Sequence, residues 1–309
     1  MNASLFAVVV FVWGLTWYAI KLELGPVPPE TSIFWRFLVA SAIMWIGLAV
    51  AGRLKRVRLR AHLWFAALGA ALFFGNFLFF YNAERLIASG VVSVVFAMAS
   101  AFNVFNQWLF NGVRPTARTL LGALIGVAGV AFLFADQLAA TAAGGASALG
   151  LLLSIGGTYC FSLGNLASRP AAEAAGDLPN AIVRAMTWGT AMLAVVVAAR
   201  GLSFAPSTEP VYVGALVYLA AIGSAVGFLV YLVLVARIGP ERAAYTTVLS
   251  PVIALAVSRL LEGYQWSPWA LIGAPLILVG NVVIFLPKFG RGMVRDRPSP
   301  LQAEAAPGE

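Results

Sequence analysis

The chain reads as an all-α integral membrane protein of ten transmembrane helices, arranged as two inverted five-helix repeats. Composition is the first reason: of 309 residues, 61% are hydrophobic and 10% charged, where a soluble domain carries about a quarter charged. With a mean hydropathy of +0.90, the chain cannot cover itself with a polar surface, so lipid has to be its solvent. The second reason is a series of ten apolar runs near the ~20 residues needed to cross ~30 Å of hydrocarbon. The third is a repeat. Gly75 and Arg85 are answered by Gly227 and Arg237 at a displacement of 152, and Gly122 and Gly129 by Gly273 and Gly280 at 151. Leu109 likewise falls on Leu261. Five crossings is an odd number, so the second copy must enter the bilayer from the opposite side.

The runs are taken between turn and charge clusters. Ser4–Ile20 opens without the basic region of a signal peptide and reads as a retained span. Ile33–Ala51 follows the Pro28-Pro29-Glu30 turn and ends before a basic cluster; His62–Asn82 ends before Glu84-Arg85. Ala88–Phe110 and Thr119–Ala135 are parted by a loop holding Arg114, Pro115 and Arg118. In the second half, Ala148–Leu166, Asn180–Ala199, Val211–Ala236, Ala243–Glu262 and Pro268–Leu286 are separated by similar polar, Pro- and Gly-bearing turns. All must be helical, because the runs are continuous rather than alternating and an open sheet edge cannot be satisfied in lipid. The first repeat is placed at 1–135, a small-residue linker at 136–147, the second repeat at 148–287, and a disordered basic tail at 288–309.

Charge predicts the orientation. With the N-terminus in the cytoplasm, the cytoplasmic segments hold fifteen of the twenty Lys and Arg residues, including Arg53, Lys55, Arg56, Arg58 and Arg60. The other side holds Lys21, Arg36, Arg85, Arg200 and Arg259. Basic residues favour cytoplasmic loops, so both termini are expected inside. The formal charge of +8 is thereby a topology signal for anionic lipid rather than a nucleic-acid site. The lone Cys160 lies in an apolar run and reads as an inert buried thiol.

Trp13-Gly14-Leu15-Thr16-Trp17-Tyr18-Ala19-Ile20-Lys21, then Pro28-Pro29-Glu30 and Trp35-Arg36-Phe37, form one group of residues with a recognisable pattern. Ser250-Pro251-Val252, Leu261-Glu262-Gly263, Trp269, Gly273 and Gly280 form a second. On these, the chain resembles the EamA family of the drug/metabolite transporter superfamily over residues 4–286. The resemblance implies a ten-helix permease of the bacterial inner membrane, similar in class to amino-acid exporters, those for aromatic amino acids included. It also implies a proline in the fourth helix and an acid at its end. Ala99 and Phe110 stand there instead, so Pro251 and Glu262 lack first-half partners.

In an inverted-repeat carrier the binding site lies near the midplane between the repeats. Embedded polar and aromatic groups are costly unless they face a partner or a cavity, which makes them the candidates. Trp13 and Trp17 lie one turn apart on the first helix, and Tyr159 is placed as the second-half counterpart of Trp13. Asn76, Asn165, Tyr231, Tyr245 and Ser250 complete the expected substrate lining. Aromatic walls suit a planar or apolar ligand and offer cation–π contact to an ammonium group; equally, Trp and Tyr near helix ends serve as interfacial anchors. Lys21, Arg36, Glu84, Pro251 and Glu262 are the mouth and gating candidates. Lys21 and Arg36 could meet a substrate carboxylate or pair with Glu23 or Glu30, and Pro251 could hinge its helix or simply pack.

No Asp or Glu falls in the middle of a span, which favours facilitated movement or exchange over tight proton coupling. Catalysis is not expected: the one histidine, His62, sits at a helix end, and no pair of embedded aspartates and no metal-ligand cluster exists. The expectation is therefore a carrier without cofactor or metal. Its partners are a small metabolite (an amino acid or a similar one) and membrane lipid, without nucleic acid, as a monomer or weak dimer. Another solute of the same superfamily, such as a nucleobase, sugar derivative or drug, stays open, as does a non-transporting receptor.

Overall fold

A computed structural model describes residues 2–133, 135, 146–238, 243 and 245–285. Among them every regular element is helical, and the one β contact is an isolated bridge between Leu24 and Val27. In chain order the helices are α1 (Asn2–Glu23), α2 (Pro29–Val50), α3 (Leu59–Glu84), α4 (Ser89–Asn111), α5 (Ala117–Leu133), α6 (Ala146–Ala175) and α7 (Leu178–Ala199). They continue with α8 (Pro210–Val217, Tyr218–Val226 and Gly227–Ile238), α9 (Tyr245–Leu261) and α10 (Pro268–Phe285). Seven of these, α1 to α4 and α6 to α8, are long and apolar enough to cross a membrane. The shorter apolar helices α5, α9 and α10 each abut residues outside the described set. Most of the expected linker (136–145) and the expected tail (288–309) also lie outside the described residues; Ala146 and Ser147 open α6.

The end of α6 and the interiors of α3, α4 and α8 differ from plain apolar runs for physical reasons. Helix α6 continues nine residues beyond Leu166 to Ala175, through Pro170. Its last turns are polar, held by an i,i+4 pair between Arg169 and Glu173 at 2.9 Å, so hydropathy ends before the helix does. Helix α4 is interrupted at Ala97–Met98, where Ala97 N–H bonds the Val94 carbonyl (3.1 Å) and Met98 N–H the Val95 carbonyl (2.9 Å). That tightening is of the 3₁₀ type, and it falls two residues before Ala99, so the helix breaks without a proline. Helices α3 and α8 each contain a π-helical stretch, Ala70–Gly75 and Tyr218–Val226. The first ends at Gly75 and the second ends immediately before Gly227, the repeated pair.

Glycines set the closest helix contacts. On α5 and α10, a Cβ at Gly129 would lie 2.7 Å from the Gly273 carbonyl, and one at Gly122 would lie 2.7 Å from the Gly280 carbonyl. On α3 and α7, a Cβ at Gly69 would meet the Ala185 carbonyl at 2.4 Å. Lipid tails are as apolar as leucine, so close backbone approach is what holds such helices together.

The two ends of the bundle are tied differently. At the end carrying the basic 53–60 segment, Asp177 caps α7 by accepting from the Asn180 N–H (2.8 Å). Asn180 Nδ2 donates to the Arg53 carbonyl (2.9 Å), and Lys55 Nζ pairs with Asp177 (2.9 Å). At the opposite end Arg200 pairs with Glu30, Thr31 Oγ1 donates to the Ser203 carbonyl (2.8 Å), and Glu262 accepts from the N–H (3.1 Å) and Oγ of Ser89.

Two predictions follow from these contacts. Gly273→Ala must displace backbone at 2.3 Å (Leu133 N) and 2.5 Å (Gly129 O), and should lower Tm in detergent by several degrees, about 1–3 kcal/mol. Gly47→Ala, with nothing within 4 Å, should leave Tm unchanged or raised; equal losses in both would remove the packing account. Partial burial pushes the Asp177 carboxyl up, but bonds from Asn180 and Lys55 outweigh it and hold it below its usual range. A carboxyl lowered on folding stabilises above its unfolded-state pKa, and the gain disappears as pH falls through the folded value. Asp177→Asn should therefore lower Tm at neutral pH and converge on the wild type in acid, as a pH series of melts will read.

Candidate functional site

A cavity of about 440 Å³ lies in the middle of the bundle, lined from α1, α2, α3, α4 and from α6, α7, α8 and α9. Its walls are mostly aromatic. Trp13 packs against Tyr231 (ring centroids 5.0 Å apart) and Phe228 (5.9 Å), and Trp17 against Phe80 (5.2 Å) and Phe96 (5.4 Å). Trp13 reaches this position because Gly227 opposite has no side chain: a Cβ there would lie 2.9 Å from the indole Nε1. Phe96 continues to Phe161 at 4.7 Å, joining α4 to α6.

Of the expected lining residues, Trp13, Trp17, Asn76, Asn165, Tyr231 and Ser250 all face this one cavity. Tyr159 and Tyr245 do not. Tyr159 packs against Phe102 at 5.4 Å, and the residue whose sulfur faces Gly75, as Trp13 faces Gly227, is Cys160 (3.5 Å). Tyr159 is one residue away from that position, and one residue is 100° of rotation on a helix. Tyr245 lies five residues from Ser250 on α9, about 140° round the helix from the cavity face.

The mouth candidates are distributed otherwise than paired charges would be. Arg36 is 4% exposed and forms one wall of the cavity. Its Nε donates to Ser224 Oγ (3.2 Å), its Nη1 to the Tyr81 hydroxyl (3.4 Å), and its guanidinium lies 4.5 Å from the centre of the Phe77 ring. Tyr81 in turn donates to Glu23 (2.6 Å). Lys21 Nζ donates to the Glu84 backbone carbonyl rather than to Glu23 or Glu30. Glu84 is fully buried with both carboxylate oxygens unpartnered among the described residues. Tyr81, Glu23, Glu84 and Glu262 stand outside the cavity lining, behind Arg36 or at the helix ends. Pro251 is buried in an unbroken α9, with the preceding Ser250 carbonyl 3.0 Å from where a Gly14 Cβ would sit. The helix interruption at the cavity is in α4 instead, at Ala97, which lines it.

Sequence reasoning missed Ser100, Asn103, Ser168 and Thr247, all in the lining. A signal was present for Asn103. Asn103 and Asn106, like Ser162 and Asn165, are three apart and therefore share a helix face. The two faces meet: Asn106 Nδ2 donates to Ser162 Oγ (2.8 Å), Ser162 Oγ to Asn103 Oδ1 (2.8 Å), and Asn165 Nδ2 to Asn103 Oδ1 (3.3 Å).

The lining extends unequally toward the two ends. It includes Leu178, the first residue of α7, and Ser168, in the last two turns of α6, both toward the basic end. Toward the other end it stops at Ile20, Arg36 and Phe80, short of the terminal residues Glu23 and Glu84. Among the described residues Arg36 is the one charged side chain in the lining. An aromatic box with amides, hydroxyls and a cation can hold a small, partly apolar molecule.

The sequence profile of the EamA-like transporter family matches residues 2–135 and 148–286. Full-length similarity extends to "Uncharacterized inner membrane transporter YedA" of Escherichia coli (strain K12), 26% identical over 289 residues, 93% of this chain and 90% of the relative. The "Probable amino-acid metabolite efflux pump" of the same strain is 25% identical over 283 residues, covering 88% and 90%. The "Probable terminal-alkyne amino-acid exporter" of Streptantibioticus cattleyicolor is 27% identical over 283 residues, covering 91% and 92%. A solved crystal structure has the same fold, with a TM-score of 0.62 at 18% identity over 92% of this chain and 96% of that one.

The cavity makes a prediction that needs no knowledge of a ligand. In a Cys160→Ser background, Ser168→Cys and Asn165→Cys should react rapidly with a small thiol reagent in membranes. Ser258→Cys, at a fully buried α9 position packed on Gly90, should be protected. Equal rates at the three sites would mean that the cavity is not accessible.

Proposed function

The chain belongs to the EamA-like transporter family, and from that membership we propose that it is a secondary carrier exporting a small metabolite, most plausibly an amino acid, by alternating access. That it is a multi-pass membrane transporter rests on the family and on its seven spanning-length apolar helices. The export direction and substrate class draw on relatives named as amino-acid efflux proteins. The inner membrane draws on the relative named as an inner membrane transporter.

The observation that carries the reading is one cavity walled by both halves of the chain and reaching further toward the basic end than toward the other. In the proposed orientation both termini and the basic 53–60 segment face the cytoplasm, so the cavity reaches inward and the structure is the inward-facing state. The far end is shut by Glu262 on Ser89, Tyr81 on Glu23 and Lys21 on the Glu84 carbonyl. Opening outward requires those contacts to part while the basic end closes.

Ten helices in two inverted repeats suit these movements. The paired π stretches ending at Gly75 and beside Gly227 support that arrangement. So does the reciprocity of the α5–α10 contact, in which Gly122 meets Gly280 and Gly129 meets Gly273. A two-fold operation exchanging Gly122 with Gly273 and Gly129 with Gly280 maps that contact onto itself. Transport proceeds without tight proton coupling in this reading, because among the described residues no carboxylate lines the cavity.

Counterflow in proteoliposomes preloaded with a panel of amino acids and metabolites is the test. Saturable exchange of an amino acid is expected, with downhill flux largely intact when the proton gradient is collapsed. Absence of saturable flux for every solute would sink the carrier reading; loss of flux with the gradient would overturn the coupling assignment alone.

A further inference from the structure

Arg36, the one cation that the described residues place in the cavity lining, carries an inference about what the cavity recognises, resting on the carrier reading above. Arg36 is 4% exposed, and burying a guanidinium costs several kcal/mol unless it is paired. Its visible partners are neutral: the Ser224 hydroxyl, the Tyr81 hydroxyl and the Phe77 ring face. Among the described residues no carboxylate forms an ion pair with it. The nearest acid along its bonded chain, Glu23, is reached only through Tyr81. A guanidinium presents five N–H donors in a planar fork. Two are occupied, both at long distances, 3.2 and 3.4 Å. The head group is clamped from outside the cavity by Ser224 and Tyr81 and supported by Phe77, so its direction is set before anything binds.

We propose that Arg36 is the specificity-determining residue of the cavity and binds the carboxylate of the transported molecule, whose apolar part lies among Trp13, Trp17 and Phe96. The cavity therefore selects monocarboxylates with a planar or branched apolar body. An anion entering from the open end gives the guanidinium the direct carboxylate contact that Glu23 and Glu84, near it but outside ion-pair distance, do not make, and the aromatic surroundings strengthen it. With no acid among the described residues of the lining, an ammonium group on the same molecule meets amides, hydroxyls and ring faces. Asn76 contributes an amide whose oxygen has no partner among the described residues. An ammonium is thus admitted without being required.

The test compares acids with their neutral amides on the unmodified protein, so it does not depend on a variant folding. Purified protein is titrated with L-phenylalanine and L-phenylalaninamide, L-leucine and L-leucinamide, and 3-phenylpropionate and 3-phenylpropionamide. Thermal stabilisation reads binding, and counterflow in proteoliposomes reads transport. Each acid should half-saturate at a concentration at least about tenfold below its amide, the value of one charge-assisted bond. 3-Phenylpropionate should bind although it lacks the amine. Arg36→Gln should abolish the difference between acid and amide, and Arg36→Lys should retain part of it. Amides binding as well as their acids, or an undiminished preference in a folded Arg36→Gln protein, would overturn the proposal while leaving the carrier reading intact. Failure of all six compounds to bind or exchange would instead remove the amino-acid reading and this assignment together.

Discussion

Hydrocarbon supplies neither hydrogen bonds to the backbone nor a hydrophobic force between helices, and the architecture answers both conditions. Each helix satisfies its own amides, so attraction between helices must come from contact at short range. Glycine makes that contact possible. Gly122 and Gly129 of α5 press on carbonyls of α10, Gly69 of α3 on a carbonyl of α7, and Gly14 of α1 on α9. Where a side chain larger than hydrogen would stand, the backbones already touch. Gly227 applies the same device to the cavity, since the space it leaves is where the Trp13 indole sits.

Polar groups inside such a bundle are expensive unless they are partnered, and partnered sets tie its two ends. The basic end is sewn by Asn180, which donates to the Asp177 carboxylate and to the Arg53 carbonyl. The opposite end is held by carboxylates, through Glu23, Glu30 and Glu262. Glu84 is buried with both oxygens unpartnered among the described residues. The π stretches of α3 and α8 and the 3₁₀ break of α4 all border the cavity. At such places the regular backbone ladder is interrupted, and a helix can change direction there without losing a full turn of bonds.

The candidate site was legible in outline. Trp13, Trp17, Asn76, Asn165, Tyr231 and Ser250 were singled out as embedded polar or aromatic residues, and the fold turns all six to one space. Tyr159 and Tyr245 met the same criterion and point elsewhere. Residue type says that a group needs a partner; only the rotational setting of its helix says whether that partner is a cavity or a neighbour such as Phe102. Arg36 was read at the mouth because it follows the second helix start closely. The long side chain instead forms a cavity wall, hydrogen-bonded to the Tyr81 hydroxyl rather than to a carboxylate.

What the sequence determined by itself is what the solvent dictates: a chain this apolar must live in lipid, and lipid admits these continuous runs only as helices. The glycines at their nearly constant offset were equally visible, because a repeat is a property of order along the chain. The tertiary structure decided everything that depends on angle. It extended α6 through a polar turn, broke α4 without a proline, and set Cys160 rather than Tyr159 opposite Gly75. A helix turns by 100° per residue, so a one-residue ambiguity, trivial in a sequence, separates a cavity wall from a packing contact. Only the packed neighbours settle it.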